Sequence, residues 1–187
     1  MENISDPLKW AEYELKLREF HLKKYFEATR LSADFSKLMV TNLIWINAAG
    51  LGALPVIANF IGISTIPWAG KFALLFCPGL LFAFGLIFGL LCALTAYFNY
   101  ESIARHADHD CAVELHSVRI VQPAVIANPE YKALFENERE KSTILSKSAR
   151  GRVQFTLIAS HMVGWLSLLC FVGACYQLMS ISPPLVR

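Results

Sequence analysis

Charge is excluded from three long stretches of this 187-residue chain. Leu38–Gly70, Phe72–Tyr100 and Val153–Val186 contain no Lys, Arg, Asp or Glu, so all 17 basic and 15 acidic residues lie in the other half. Each stretch exceeds the ~20 residues that cross the hydrocarbon core of a bilayer, whereas buried helices of soluble proteins are usually shorter. With 55% hydrophobic residues and 17% charged, against a usual quarter or so, the chain reads as an all-α integral membrane protein with three transmembrane helices. A net charge of only +2 argues against a nucleic-acid binder.

The basic residues set the expected orientation. Seven precede Leu38, eight lie between Glu101 and Arg152, and only Lys71 and Arg187 fall elsewhere. If all three runs cross, this places the N-terminus in the cytoplasm and the C-terminus outside. Met1–Lys37 is charged throughout and lacks the apolar core of a cleavable signal. Of the five cysteines, Cys77, Cys92, Cys170 and Cys175 lie in apolar runs and Cys111 outside them; with no CxxC spacing, they read as small packing residues.

The expected organisation has four parts. Residues 1–37 form an amphipathic helix that opens at Asp6-Pro7, an N-cap followed by proline at the first helical position. Trp10, Tyr13, Leu17 and Phe20 recur at spacings of three and four and form its partner face. The helix either projects about 46 Å into the cytoplasm and feeds the first span or lies flat on the membrane. Its mixture of acids and bases favours projection. Residues 38–98 form a transmembrane hairpin, with spans at about 38–61 and 72–98 joined by a turn at Gly62–Lys71, and with Pro55 kinking the outer half of the first. Residues 99–152 form a cytoplasmic helical hairpin. Its first helix, Glu101–Val118, continues span two; Gln122-Pro123 and Asn128-Pro129 make the turn; and its second helix, Pro129–Arg150, ends near Gly151. Residues 153–187 contribute span three and a short outer tail, with Pro183-Pro184 as the stop.

Two constellations could carry chemistry. His106, His109, Cys111 and His116 are interleaved with Asp108, Asp110 and Glu114. His106 and Asp110 share a helical face, as in two-ligand metal sites, but HExxH is absent, so His106, His109 and Asp110 are only weak metal candidates and no cofactor is expected. Within the membrane, Asn47 and His161 lie nine and eight residues from the inner ends of spans one and three, about 12–14 Å deep. At matching height they could form a hydrogen-bonded pair or line a water-filled axis, where His161 could gate by protonation. Ala49, Gly50 and Ala53 in span one, and Gly85 and Gly89 in span two, form small-residue faces for helix packing. One face is expected to close the hairpin and the other to meet a neighbouring subunit in a cyclic homo-oligomer.

Phosphate-binding loops, a G-x-S-x-G elbow and intramembrane carboxylates are all absent, so catalysis and cation-coupled transport are not expected. The stretch Phe35–Pro55, with Lys37 and Leu43-Ile44-Trp45-Ile46-Asn47-Ala48-Ala49-Gly50, resembles small bacterial membrane proteins of three or four passes. In these a charged helix feeds an INGG-like first span, here with Ala48-Ala49 in place of two glycines, and span two holds an F-x-x-G element, here Phe82-Ala83-Phe84-Gly85. The resemblance extends to membrane partners of antiviral systems, including the pore-like accessory proteins of RNA-guided RNA-targeting systems. No Arg precedes a His with four to six residues between them, so the ribonuclease motif of HEPN domains is missing. The resemblance implies an oligomeric pore or effector that permeabilises the bilayer on a cytoplasmic signal; the alternative is a membrane anchor for a soluble cytoplasmic partner.

Overall fold

A computed structural model describes residues 7–60 and 66–181. Four helices account for nearly all of them: α1 (Pro7–Phe60), α2 (Trp68–Ile120), the single turn α3 (Pro123–Ile126) and α4 (Pro129–Ile181). No strand occurs among the described residues. α1, α2 and α4 are each long and apolar enough to cross a membrane. The N-cap Asp6, residues 61–65 of the outer turn and the Pro183-Pro184 stop lie outside the described residues.

Local chemistry explains where the helices start. Proline, whose missing N–H costs nothing in the first turn, opens α1, α3 and α4. Asn128 accepts hydrogen bonds through Oδ1 from the Glu130 and Tyr131 amides (3.1 and 3.4 Å), and Glu130 favours the positive end of the α4 dipole. Pro55 and Pro78 lie inside helices that continue past them. The break expected near Gly151 is not present, because α4 runs unbroken from Pro129 to Ile181. A lone glycine costs about 1 kcal/mol in a helix, too little to end one that is supported on both sides.

The chain divides into two compact units. The apolar unit contains residues 35–60, 66–96 and 157–181. At its centre Leu54, Phe82, Ala174 and Leu178 are buried together, and the Phe82 ring packs against Phe171 with centroids 5.9 Å apart. Most large apolar side chains here face outward, among them Trp45, Val56, Leu90, Ile158, Trp165 and Leu169. In water so much exposed apolar surface would not be tolerated, whereas lipid accepts it at no cost. Burial in lipid carries no hydrophobic gain, so packing and hydrogen bonds must hold these helices together.

The charged unit contains residues 7–34 and Tyr97–Thr156. Glu14 on α1 accepts two hydrogen bonds from Arg119 (3.1 and 2.8 Å) and a third from Gln122 (3.0 Å). His21 meets Glu114 at 2.6 Å, and the Tyr100 hydroxyl donates to the Ser32 carbonyl at 2.6 Å. α2 and α4 are joined by Thr156, which donates to Asn99 Oδ1 (2.9 Å), and by the His116 ring beside Phe135. Among the described residues of this unit, Leu115, Ile120, Val125 and Ala149 are the buried apolar ones.

Candidate functional site

Asn47 is fully buried in the apolar unit, and its carboxamide joins three helices. Its Nδ2 donates to the Leu43 carbonyl one turn earlier (2.9 Å) and to Ser167 Oγ on α4 (3.2 Å). Ser167, also fully buried, passes its single hydrogen to the Gly85 carbonyl on α2 (2.8 Å). The directions are consistent: a carbonyl can only accept, so Ser167 must receive from Asn47 and give to Gly85. Asn47 Oδ1 has no partner and lies against Gly85, where a Cβ would overlap the carboxamide. Glycine at position 85 is what allows an asparagine at this depth.

The other small residues act in the same way. The Phe82 ring lies over Gly50, and Ile44 covers Gly89 at 3.1 Å from where its Cβ would stand. Gly50 and Gly85, one on each of the two small-residue faces, and Gly89 are all covered by side chains of the same chain, so both faces contribute to closing it. Ala53 is half-buried, Ala49 is exposed, and Gly52 faces open space.

The Asn47–His161 pair is not formed. Six residues separate His161 from Ser167, the true partner, a turn of about 240° around α4 and a rise of about 9 Å. Counting depth from the charge boundaries fixed neither the rotation nor the height of α4 against α1. His161 points out of the unit, and its Nδ1 lies 2.8 Å from the Leu157 carbonyl. Since that carbonyl must accept, Nδ1 carries the hydrogen, and in the neutral ring Nε2 is an acceptor facing outward. Trp165 and Tyr176 are on the same stripe at helical spacing, 64% and 73% exposed. Only 6% of the most apolar window of α4 is buried, against 17% for α1 and 22% for α2.

In the charged unit, Ser146 on α4 joins two of the metal candidates on α2. Its hydroxyl donates a short hydrogen bond to Asp110 Oδ1 and lies 3.2 Å from His106 Nδ1, while His106 Nε2 is 3.6 Å from Asp110 Oδ2. With its one hydrogen given to Asp110, Ser146 must accept from His106. This is the reverse of the transfer that would activate a serine nucleophile, where the imidazole accepts from the hydroxyl. The arrangement serves as a polar tie between helices. Among the described residues no three His, Cys, Asp or Glu side chains are placed to hold a metal ion, and His109 joins neither His106 nor Asp110 in such a group.

Electrostatics in this unit centre on Glu14. Hydrogen bonding to Arg119 holds its carboxyl below the usual range against the opposing effect of burial. Burial, reinforced by Arg119, lowers His116, whose Nδ1 is buried without a partner. Burial raises the Cys111 thiol, which leaves it poorly nucleophilic. Of the face expected to receive a partner, Trp10 and Leu17 are half-buried, whereas Tyr13 and Phe20 remain exposed, with Lys24 Nζ 4.4 Å from the Phe20 ring centroid. Neither Ser167 nor Ser146 stands out in the sequence: Ser160 shares the third apolar run with Ser167, and Ser146 lies between Ser142 and Ser148 in the charged part of α4. No protein-family model matches the chain, and no curated protein or solved structure matches it.

Proposed function

We propose that the protein is the subunit of a homo-oligomeric membrane pore in which neighbouring copies meet along α4 and enclose a water path. One observation carries this reading: the stripe of His161, Trp165 and Tyr176 is exposed on α4, whose most apolar stretch is less buried than those of α1 and α2. An imidazole facing hydrocarbon is costly, so intramembrane histidines face protein or water. A second copy of the chain presents the same stripe and could cover it, and His161 Nε2 and the Tyr176 hydroxyl offer polar atoms to water along the joint.

In this reading the N-terminus is cytoplasmic, and the charged unit receives the signal that opens the path. The resemblance to membrane partners of antiviral systems supports a role in defence. The test is reconstitution of the purified chain in liposomes with a self-quenched dye and native mass spectrometry of the same sample. Dye release together with a defined oligomer is expected. A monomer that releases no dye in bilayers of several compositions would overturn the proposal. The anchor reading draws on the exposed Tyr13, Leu15, Phe20, Leu22 and Phe26 of α1. It predicts capture of one soluble protein without any flux.

A further inference from the structure

A cavity of about 440 Å³ in the charged unit lies between α2 and α4, where both helices pass from charged to uncharged sequence. α2 contributes Phe98, Glu101, Ser102 and Arg105, and α4 contributes Ser148, Gly151, Arg152, Phe155 and Thr156. On each helix these residues repeat at intervals of three and four, so each presents one continuous face to the cavity. The lining is graded along the chain. Phe98 and Phe155 lie in or beside the uncharged runs that end at Tyr100 and begin at Val153, and Arg105 and Arg152 lie on the charged side of those boundaries.

The charge of the lining is uneven. Glu101 pairs with Arg105. Arg152 has no acidic partner among the described residues, and no acidic residue follows Glu140 anywhere in the sequence, whereas Lys147 and Arg150 flank the site. Gly151 adds no side chain to the lining, and a Cβ there would meet nothing within 4 Å, so a larger side chain at this position has room to enter the cavity. Ser102 and Thr156 give their hydroxyl hydrogens to the Phe98 carbonyl and to Asn99, which leaves Ser148, one turn from Arg152, as the lining hydroxyl for a ligand. A planar guanidinium with free donors, that hydroxyl and aromatic rings toward the apolar run together suit an oxyanion that carries a hydrocarbon tail.

We propose that this cavity binds the phosphate of an anionic phospholipid headgroup, with Arg152 as the principal donor, Arg105 as the second, and the acyl chains running past Phe98 and Phe155. A free phosphate shares the anion chemistry but would leave both rings unused, and for that reason the lipid is favoured. Basic pockets at the charged ends of membrane helices are where such headgroups are commonly held. The inference does not depend on the pore reading, because a monomer would bind the same lipid.

The experiment uses full-length protein in nanodiscs of phosphatidylcholine containing a minor fraction of phosphatidylglycerol, with lipid retained by the protein counted by native mass spectrometry. Arg152→Gln removes the donor, Gly151→Leu fills the cavity without changing charge, and Lys147→Gln removes a neighbouring charge outside the lining. The expected result is preferential retention of phosphatidylglycerol, reduced about tenfold by Arg152→Gln and Gly151→Leu and little changed by Lys147→Gln. Equal losses in all three variants would mean a diffuse basic collar and would overturn the site, as would retention unaffected by Gly151→Leu. Circular dichroism confirms that each variant is folded; a Gly151→Leu chain that fails to fold is replaced by Gly151→Ala with Arg105→Gln, read against the same losses. A parallel arm titrates inorganic phosphate in detergent. Phosphate binding that Arg152→Gln abolishes, without any preference among lipids, would overturn the lipid assignment.

Discussion

Gly85→Ala should destabilise the apolar unit more than its single methyl suggests. The added Cβ overlaps the Asn47 carboxamide, which is fully buried and cannot swing away without losing its hydrogen bonds to Leu43 and Ser167. An interhelical hydrogen bond inside a membrane is worth about 0.6–1.7 kcal/mol, and overpacking a tight contact costs about 1–3 kcal/mol. A loss of about 2–4 kcal/mol follows. Gly52→Ala is the control, because its Cβ would meet nothing within 4 Å; it should be neutral or, through helix propensity, stabilising by up to about 1 kcal/mol. The double variant Asn47→Ala/Gly85→Ala removes the overlapping group, so its loss should fall clearly short of the sum of the two single losses. Reversible unfolding in mixed detergent micelles, followed by circular dichroism, provides the free energies. If Gly85→Ala costs no more than Gly52→Ala, or if the pair is additive, the argument that glycine is there to admit Asn47 is wrong.

Three further outcomes follow from the same contacts. His161→Leu should preserve helicity and unfolding free energy, since the ring bonds only to its own helix, but should lower both dye release and oligomer population in native mass spectrometry; unchanged oligomers would remove α4 as the joint. Acid should weaken the charged unit in two stages. The lowered His116 contributes stability that is complete above its ordinary value near 6.5 and is lost as pH falls through its depressed folded value, and Glu14 does the same below its ordinary value near 4.5. In a pH series of thermal unfolding, His116→Phe should flatten the first stage and Glu14→Gln the second, each by about 1 kcal/mol or less because both groups are partly exposed. Ser146→Ala should cost about 0.5–1.5 kcal/mol by removing the partner that His106 and Asp110 share, both side chains being partly exposed; hydrogen exchange over residues 106–110 would report it, and unchanged protection would refute the tie.

The three apolar helices were legible in the sequence because the physics behind them is one-dimensional. A charge inside hydrocarbon is costly wherever it faces, so excluding all 32 charges from three runs marks the runs without reference to any contact. The helix starts at Pro7, Pro123 and Pro129 are local in the same sense, since each depends on one residue's missing N–H. Gly151 shows the limit of such reasoning: the glycine weakens a helix locally, but the outcome depends on what supports it from outside.

Partner choice depends on rotation and height, which only packing decides. Asn47 and His161 have similar depths when counted from their charge boundaries, yet α4 is turned and shifted so that Ser167 receives the carboxamide and the imidazole faces outward. The small residues show the same division. Their spacing revealed that helices approach closely at Gly50, Gly85 and Gly89, but not that Phe82, Asn47 and Ile44 of the same chain would fill those hollows. Composition and period thus determined which segments are helical and which can lie in lipid, because each residue's preference for water or hydrocarbon is its own. The contacts that hold the helices together were decided by tertiary structure, because in lipid apolar burial no longer discriminates, and the few polar atoms pair wherever shape allows them to meet.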